Sequence, residues 1–255
     1  WESGLLYIDN HLIRAKEDIS GNVSIKQGTK TIASEAFELC TSLTNVAIPN
    51  SVTGTVYRAF INCTSLASIA IPNSVTSISE AAFSGCTSLT NVTIGNGVIG
   101  IGDFAFKNCT SLTSITIPDG VKSIGSYAFS GCTSLTNVTI GNGVTSIGAL
   151  AFENCASLME TVIPKSVTGI GYGAFGYYYD SIENKLKTVD SFTIYGNKGS
   201  EAERYANENG FKFVAIGDAP TMTFPDVASG DWYYNAVRFN VEKGYVTGYS
   251  NGTFG

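Results

Sequence analysis

The chain has 255 residues, enough for one large domain or two ordinary ones. Only 14% of the residues are charged and the net charge is −6, so the composition argues against nucleic-acid binding and against association with an anionic membrane. No apolar run approaches the roughly 18 residues of a membrane span. Residues 1–4 lack the basic start and apolar stretch of a signal peptide, so we expect a mature or trimmed chain.

Residues 1–32 are predicted to form an N-terminal cap and a degenerate first repeat. The segment keeps Val23 and Ile25 of the repeat that follows it, but it has Arg14 where the repeat would place Phe. A terminal repeat that departs from its neighbours in this way is typical of a capping coil.

Residues 33–179 repeat one motif with a period of 23 residues. An Ala-Phe pair marks each repeat, Cys comes three positions after Phe, and Leu comes three positions after Cys. A Val/Ile-x-Ile pair follows, with Thr161 as its exception. The aligned Phe residues are Phe37, Phe60, Phe83, Phe106, Phe129, Phe152 and Phe175. The six cysteines of the chain all fall at the Cys position of the repeat: Cys40, Cys63, Cys86, Cys109, Cys132 and Cys155. The stretch Phe83 to Val98 recurs identically at Phe129 to Val144, which indicates duplication and argues against one specialised catalytic coil.

Each repeat predicts one coil of a stack. The alternating Val/Ile-x-Ile residues favour a short strand, a turn and a second short extended segment follow, and Ala-Phe and Cys are predicted to fold back as a short helical turn. One coil cannot bury these residues alone, whereas stacked coils bury them as ladders with parallel strands. At ~4.8 Å per coil, the body should be roughly 35–40 Å long.

This repeat resembles the BspA-like bacterial leucine-rich repeats, which follow the pattern I-x-x-x-A-F-x-x-C-x-S-L-x-x-I-x-I-P, over about Gly21 to Phe175. The resemblance implies a β-rich, right-handed leucine-rich-repeat solenoid with parallel short strands, an N-terminal capping coil and a C-terminal α+β cap. It also implies a location outside the cell and a role in adhesion or host-protein binding, without catalysis. The family's repeats carry no fixed functional residues, so none is transferred.

Residues 180–217 are predicted to form the C-terminal cap. The period is lost over Asp180–Lys187, which we interpret as an inserted loop, and a last strand follows around Ile194. Ser200 and Glu203 have the spacing of a capping box that opens a helix, and Gly210 is placed to end it. Phe211 and Phe213 then predict a short strand.

Residues 218–221 are predicted to be a linker, and residues 222–255 resemble the first half of an S-layer homology module. The resemblance rests on Phe224-Pro225-Asp226-Val227, Trp232, Gly244, Gly248 and Asn251-Gly252-Thr253-Phe254. It implies non-covalent attachment of the full-length protein to cell-wall polysaccharide. The family's Ile-Thr-Arg contact segment would lie beyond Gly255, so we expect this chain itself not to bind the wall.

The cysteines allow two interpretations: three disulfides, or a ladder of buried thiols. Stacking puts Cβ atoms ~4.8 Å apart, farther than the ~3.8 Å that a bridge prefers, so the ladder is favoured. Metal and cofactor sites are not predicted, since the cysteines are far apart in sequence and His11 is the sole histidine. The sequence shows no evident nucleophilic residue near His11 with which it could form a catalytic arrangement. We therefore predict that the chain is not an enzyme.

Two sets of residues are candidates for ligand binding. One is the cluster Tyr172, Tyr177, Tyr178 and Tyr179, whose alternative role is packing under the C-terminal cap. The other is a set of outward-facing strand positions, for which a solvated sheet without a partner is the alternative: Asn91, Thr93, Thr116, Asn137 and Thr139.

The sequence therefore predicts an extracellular, cell-wall-associated binding or adhesion protein whose solenoid contacts a host or neighbouring-cell protein or glycan. Cell-wall polysaccharide is expected as a partner only through an intact S-layer homology region. A rigid spacer without a ligand is the first alternative, favoured by uniform polarity on all faces. A hydrolase is the second, and a deep pocket with a strongly perturbed titratable group would revive it.

Overall fold

Short strands, turns and one helix make up residues 1–54 and 57–216, which are the residues that the computed structural model describes. Residues 1–214 form one compact unit, and a second unit begins at residue 215. The predicted linker and S-layer homology module, at 218–255, lie outside the described residues. Within the described ranges, no helix combines the length and hydropathy needed to cross a bilayer.

The N-terminal segment is an antiparallel hairpin of β1 (Leu5–Ile8) and β2 (His11–Ala15), and β2 pairs in parallel with the next strand of its sheet. Leu5 and Leu12 are buried, whereas Arg14 is exposed and forms an ion pair with Glu17 at 3.2 Å. The ladder of phenylalanines therefore starts one coil later, at Phe37.

Each of the following coils contributes a first strand, and within the described residues all of them except the coil of β5 add a shorter second strand. In chain order they are β3 (Gly21–Ser24), β4 (Thr31–Ile32), β5 (Leu43–Ala47), β6 (Ser68–Ile71), β7 (Ser77–Ile78), β8 (Asn91–Ile94), β9 (Gly100–Ile101), β10 (Ser114–Ile117), β11 (Ser123–Ile124), β12 (Asn137–Ile140), β13 (Ser146–Ile147), β14 (Glu160–Val162) and β15 (Gly169–Ile170). First strands pair in the parallel order β3-β5-β6-β8 and as β10-β12, and second strands pair as β7-β9-β11-β13-β15. Partners such as Ile69 and Val92 are one period apart, so the predicted β-solenoid is confirmed.

The core is a stack of side chains of one type per row. The seven phenylalanines of the repeat are at most 1% exposed, and successive rings are stacked with centroids 4.7–5.3 Å apart and planes within 14° of parallel. Thr161 takes a Val position of the repeat, and its buried hydroxyl has no hydrogen-bond partner. The exception therefore lies at the end of the array, where uniform packing stops.

The cysteines form the predicted ladder of buried, free thiols. From Cys63 to Cys155, each Sγ donates to the carbonyl oxygen of the Phe one coil earlier, at 3.0–3.3 Å. Cys fills this position because it is a small apolar side chain that also links two coils through a weak hydrogen bond.

The Ala-Phe segment is not the short helical turn that the sequence predicts. It is a series of tight turns in which two residues per coil have left-handed backbone. We call the residues two positions before Phe the pre-Phe row: Glu35, Arg58, Ala81, Phe104, Tyr127, Leu150 and Gly173, with φ from +48° to +64°. We call the residues that lie two positions after Phe the post-Phe row: Leu39, Asn62, Gly85, Asn108, Gly131 and Asn154, with φ from +56° to +76°. Backbone N–H groups of both rows donate to carbonyls of the next coil, as Phe104 does to Ser126 at 2.9 Å.

The C-terminal end departs from the repeat. β16 (Tyr177–Asp180) and β17 (Lys185–Thr188) form an antiparallel hairpin where the sequence predicts an inserted loop. β18 (Thr193–Gly196) then pairs in parallel with β14, as the predicted last strand. Helix α1 (Glu201–Asn209) and β19 (Lys212–Ala215) follow, and β19 joins β18.

Helix α1 is confirmed, but the predicted capping box is wrong. Ser200 is the N-cap residue, yet its hydroxyl is buried without a hydrogen-bond partner, and the Glu203 carboxylate accepts the N–H of Gly199 instead. Gly210 ends the helix in the predicted left-handed conformation, at φ +72°. Tyr205 fixes the helix to the array, because its hydroxyl lies 3.0 Å from both the N and the O of Phe175.

Candidate functional site

The candidate strand residues lie on the outward side of the first strands. Asn91 and Thr93 are exposed on β8, Thr116 on β10, and Asn137 and the half-buried Thr139 lie on β12. Thr116 is paired with Thr139 in the parallel register. The structure therefore aligns these hydroxyl and amide groups in rows that a broad ligand can contact through hydrogen bonds.

Tyr177 is the candidate tyrosine that packs against the cap. Its ring meets Phe211 edge-on at 5.8 Å, its hydroxyl donates to Asn209 Oδ1 at 2.7 Å, and Tyr172 lies 5.7 Å away. Burial, and then the nearby Tyr172, raise the pKa of Tyr177. Its contacts thus join helix α1 to the last coil.

The other three tyrosines are open to solvent. Tyr172 is 64% exposed, and Tyr178 and Tyr179 are 37% and 45% exposed on the β16–β17 hairpin. Ile182, at the hairpin tip, is 94% exposed. Exposed aromatic rings beside an apolar tip supply the rigid, amphipathic contact area that binding surfaces use.

An ion network holds this hairpin. Lys187 Nζ lies 2.6 Å from Asp180 and also contacts Glu183, while Lys185 pairs with Glu183 at 2.6 Å. Hydrogen bonding from Lys187, followed by the N–H groups of the turn, lowers the pKa of Asp180 to about 2. Tyr178 is directly opposite Lys187 in the register, so the exposed aromatic side chains are held on a charge-stabilised support.

The two candidate sets do not form one site. Tyr172 immediately precedes the Ala-Phe turns of its coil, whereas Asn137 and Thr139 belong to a first strand. First strands and Ala-Phe turns are separate segments of every coil, so the candidates define a strand face and an aromatic hairpin end as distinct surfaces.

Sequence reasoning missed the pre-Phe row. Phe104 and Tyr127 stack with centroids 5.2 Å apart, and Lys107 Nζ lies 5.3 Å and 5.7 Å from the two rings. Arg58 pairs with Glu80 at 3.1 Å. Aligning the coils at the position two residues before Phe would have shown these side chains to be the part of the turn that varies most.

The residues considered for catalysis have structural partners. His11 Nδ1 lies 2.7 Å from Thr31 Oγ1 on the surface. Burial raises the pKa of Cys40 to about 11 and that of Cys86 to about 12, which keeps these thiols protonated at neutral pH, whereas the thiolate is the nucleophile. Among residues 1–54 and 57–216, no three His, Cys, Asp or Glu side chains are grouped as a metal site requires.

Comparison with known proteins agrees with this architecture. Residues 15–109 and 56–183 match the profile of the BspA type leucine rich repeat region, in six copies, and residues 223–255 match that of the S-layer homology domain. No curated protein matches the chain.

Two solved structures are similar to the chain. A leucine-rich repeat protein from Eubacterium ventriosum is 28% identical, with a TM-score of 0.64, and the match covers 68% of this chain and 48% of that one. A leucine rich cell surface protein from Faecalibacterium prausnitzii is 25% identical, with a TM-score of 0.43, and the match covers 82% of this chain and 63% of that one. The chain therefore spans about half the length of the first protein and less than two thirds of the second.

Proposed function

The chain belongs to the BspA-type leucine-rich repeat family, and from this membership we propose that it is a non-catalytic binding protein of the bacterial cell surface. The repeat region together with the S-layer homology match is the combination expected of a surface-associated protein. In this proposal, the intact S-layer homology region attaches the full-length protein to cell-wall polysaccharide, and the solenoid contacts a host or neighbouring-cell protein or glycan.

The proposal rests on which side chains of each coil are buried and which are exposed. The Ala-Phe pairs of all seven repeats and the cysteines of the first six are buried. Many of the exposed side chains differ from coil to coil, and the largest departure is the aromatic hairpin end with Tyr172, Tyr178 and Tyr179 exposed. Binding specificity in a repeat protein comes from such variable outer positions, because the repeated ones are committed to packing.

The test is binding of the 255-residue chain to an array of host matrix proteins, mucins and bacterial glycans. Two variants accompany it: Tyr172→Ser with Tyr178→Ser and Tyr179→Ser for the hairpin end, and Thr93→Lys with Thr116→Lys for the strand face. We expect saturable binding that the first variant loses and the second retains. The reverse result would move the site to the strand face, and absence of binding by the unmodified chain would contradict the proposal.

A rigid spacer is the second candidate, and one observation favours it. The unbroken phenylalanine stack and the regular hydrogen bonds between coils make a body with one repeated interface, which suits a stalk that holds another domain away from the wall. An unmodified chain that binds nothing on the array would support this role.

A further inference from the structure

The pre-Phe and post-Phe rows share one backbone conformation but differ in residue type. The post-Phe row holds Asn or Gly at every position except Leu39, as expected where φ is positive. The pre-Phe row instead holds Phe104, Tyr127 and Leu150 in consecutive coils, at φ +57°, +56° and +57°. Bulky side chains are disfavoured in this region, so the three residues are retained for what their side chains do.

These side chains begin a continuous file that ends at the cap. The rings of Phe104 and Tyr127 are stacked, and Leu150 holds the same position in the next coil. At Gly173 the place of a side chain is filled by these neighbours, since a Cβ there would lie 2.7 Å from Leu150 Cδ2 and 3.7 Å from Tyr177 Cγ.

We call this set the aromatic file: Phe104, Tyr127, Leu150, Tyr177 and Tyr172. Tyr177 contacts the exposed ring of Tyr172, and the first four members are half-buried. The file therefore joins the variable part of the coil surface to the hairpin end.

The internal duplication separates the file from the scaffold. Phe83 to Val98 is identical to Phe129 to Val144. The residue two positions before the copy differs, however: it is Ala81 for the first copy and Tyr127 for the second. Both residues have left-handed backbone, at φ +51° and +56°. An aromatic ring is therefore not needed to build this turn.

The side chains of the file favour an uncharged ligand, because none of the five is charged. Two charged side chains lie beside it: Lys107, over the rings of Phe104 and Tyr127, and Asp103, whose Oδ1 accepts the N–H of Ser126 at 2.7 Å. Aromatic rings offer apolar contact, and tyrosine hydroxyls offer hydrogen bonds. This chemistry complements a sugar ring, which presents C–H groups and hydroxyls together.

The spacing of the file indicates an extended chain. The rings of Phe104 and Tyr127 are 5.2 Å apart, close to the length of one sugar unit in an extended β-linked polysaccharide, so successive sugars can meet successive coils in the same register. We propose that the aromatic file binds an extended, uncharged β-linked polysaccharide. This rests on the proposed surface-binding function and narrows it to one site and one ligand class.

The experiment measures affinity of the 255-residue chain by electrophoresis through gels containing soluble mixed-linkage β-glucan or β-mannan. The variant carries Phe104→Asn and Tyr127→Asn, because Asn accepts positive φ and should leave the melting temperature unchanged or higher. We expect it to bind about tenfold more weakly or worse. Leu39→Asn is the control, since it also replaces a large apolar side chain by Asn at an exposed left-handed position, but outside the file, and it should bind like the unmodified chain.

Each other outcome would count against the proposal. Full binding by the double variant would exclude the file as the site, and a large fall in its melting temperature would assign the rings to the scaffold. Loss of binding in Lys107→Gln would mean that the ligand is anionic. If the chain ignores these polysaccharides but binds proteins on the array, this inference fails and the proposed function stands; if it binds nothing, both fail.

Discussion

The coils between Phe37 and Phe175 make the same contacts over and over, whereas the segment from Tyr177 to Ala215 makes each of its contacts once. In the array, each of the 23-residue-spaced phenylalanines from Phe60 to Phe152 stacks between two others. At the end, single interactions such as Tyr205 on Phe175 and Lys187 on Asp180 fix the hairpin and the helix. The array thus gains stability by repetition, and the end is free to vary.

The strongest test of this contrast is Phe106→Ala in the middle of the array. The change removes a fully buried ring that stacks on Phe83 and Phe129, so the free energy of unfolding should fall by about 3–5 kcal/mol. Urea denaturation followed by circular dichroism measures it.

Two controls sharpen the result. Phe37→Ala should cost less, since within the described residues Phe37 stacks on Phe60 alone, and Tyr179→Ala on the hairpin should stay within about 0.5 kcal/mol. Equal losses at all three sites would contradict the contrast between array and end.

A smaller effect is expected from the thiol ladder. Cys86→Ala removes a hydrogen bond of 3.1 Å to the Phe60 carbonyl, which also accepts the N–H of Cys63, so the loss at pH 7 should be about 1 kcal/mol. At alkaline pH the effect of Cys86→Ala on the free energy of unfolding should change sign, so that the variant becomes the more stable protein. Burial raises the pKa of Cys86 from 9.0 to about 12, so its stabilising contribution is complete below pH 9 and is lost between pH 9 and 12 as the unfolded state ionises first.

The measurement is the free energy of unfolding across pH 7 to 12. The unmodified chain should lose stability steeply above pH 9, and Cys86→Ala should reduce the slope by up to about 1.4 kcal/mol per pH unit. Cys40→Ala is the matched control, because the pKa of Cys40 rises only to about 11 and its window is narrower. Identical pH profiles for all three proteins would show that the thiols are not protected by burial.

The array was predictable from the sequence because a repeated residue meets a repeated environment. The period alone placed the phenylalanines in one row and the parallel strands in register. The left-handed backbone of the pre-Phe row was not predictable, since Phe104 and Tyr127 give no sign of positive φ, whereas the Asn and Gly residues of the post-Phe row do.

The end was harder to predict because nothing repeats there. Loss of the period over Asp180–Lys187 revealed an insertion but not its antiparallel pairing. The Ser200–Glu203 spacing predicted the helix correctly, yet the carboxylate bonds to a different N–H than a capping box requires. Among the candidate binding residues, the outward direction of the strand positions followed from the alternation of side chains along a strand. The exposure of Tyr178 and Tyr179 became visible only once the structure showed the hairpin.

The smallest effect is expected at the hairpin, under acid. Lys187 lowers the pKa of Asp180 from 3.8 to about 2, so the charged carboxylate stabilises the hairpin above about pH 4 and this contribution is lost as the pH falls towards 2. Hydrogen exchange at β16 and β17 should accelerate in that window, while exchange in the array strands should not follow it.

Asp180→Asn should bring the acceleration to neutral pH, since an amide can still accept the N–H groups of Ile182 and Glu183 but has no charge for Lys187. Asp190→Asn, a neighbouring exposed carboxylate, is the control that should change nothing. If the array strands opened together with the hairpin, the end would be a cooperative part of the solenoid, and its freedom to vary would need another explanation.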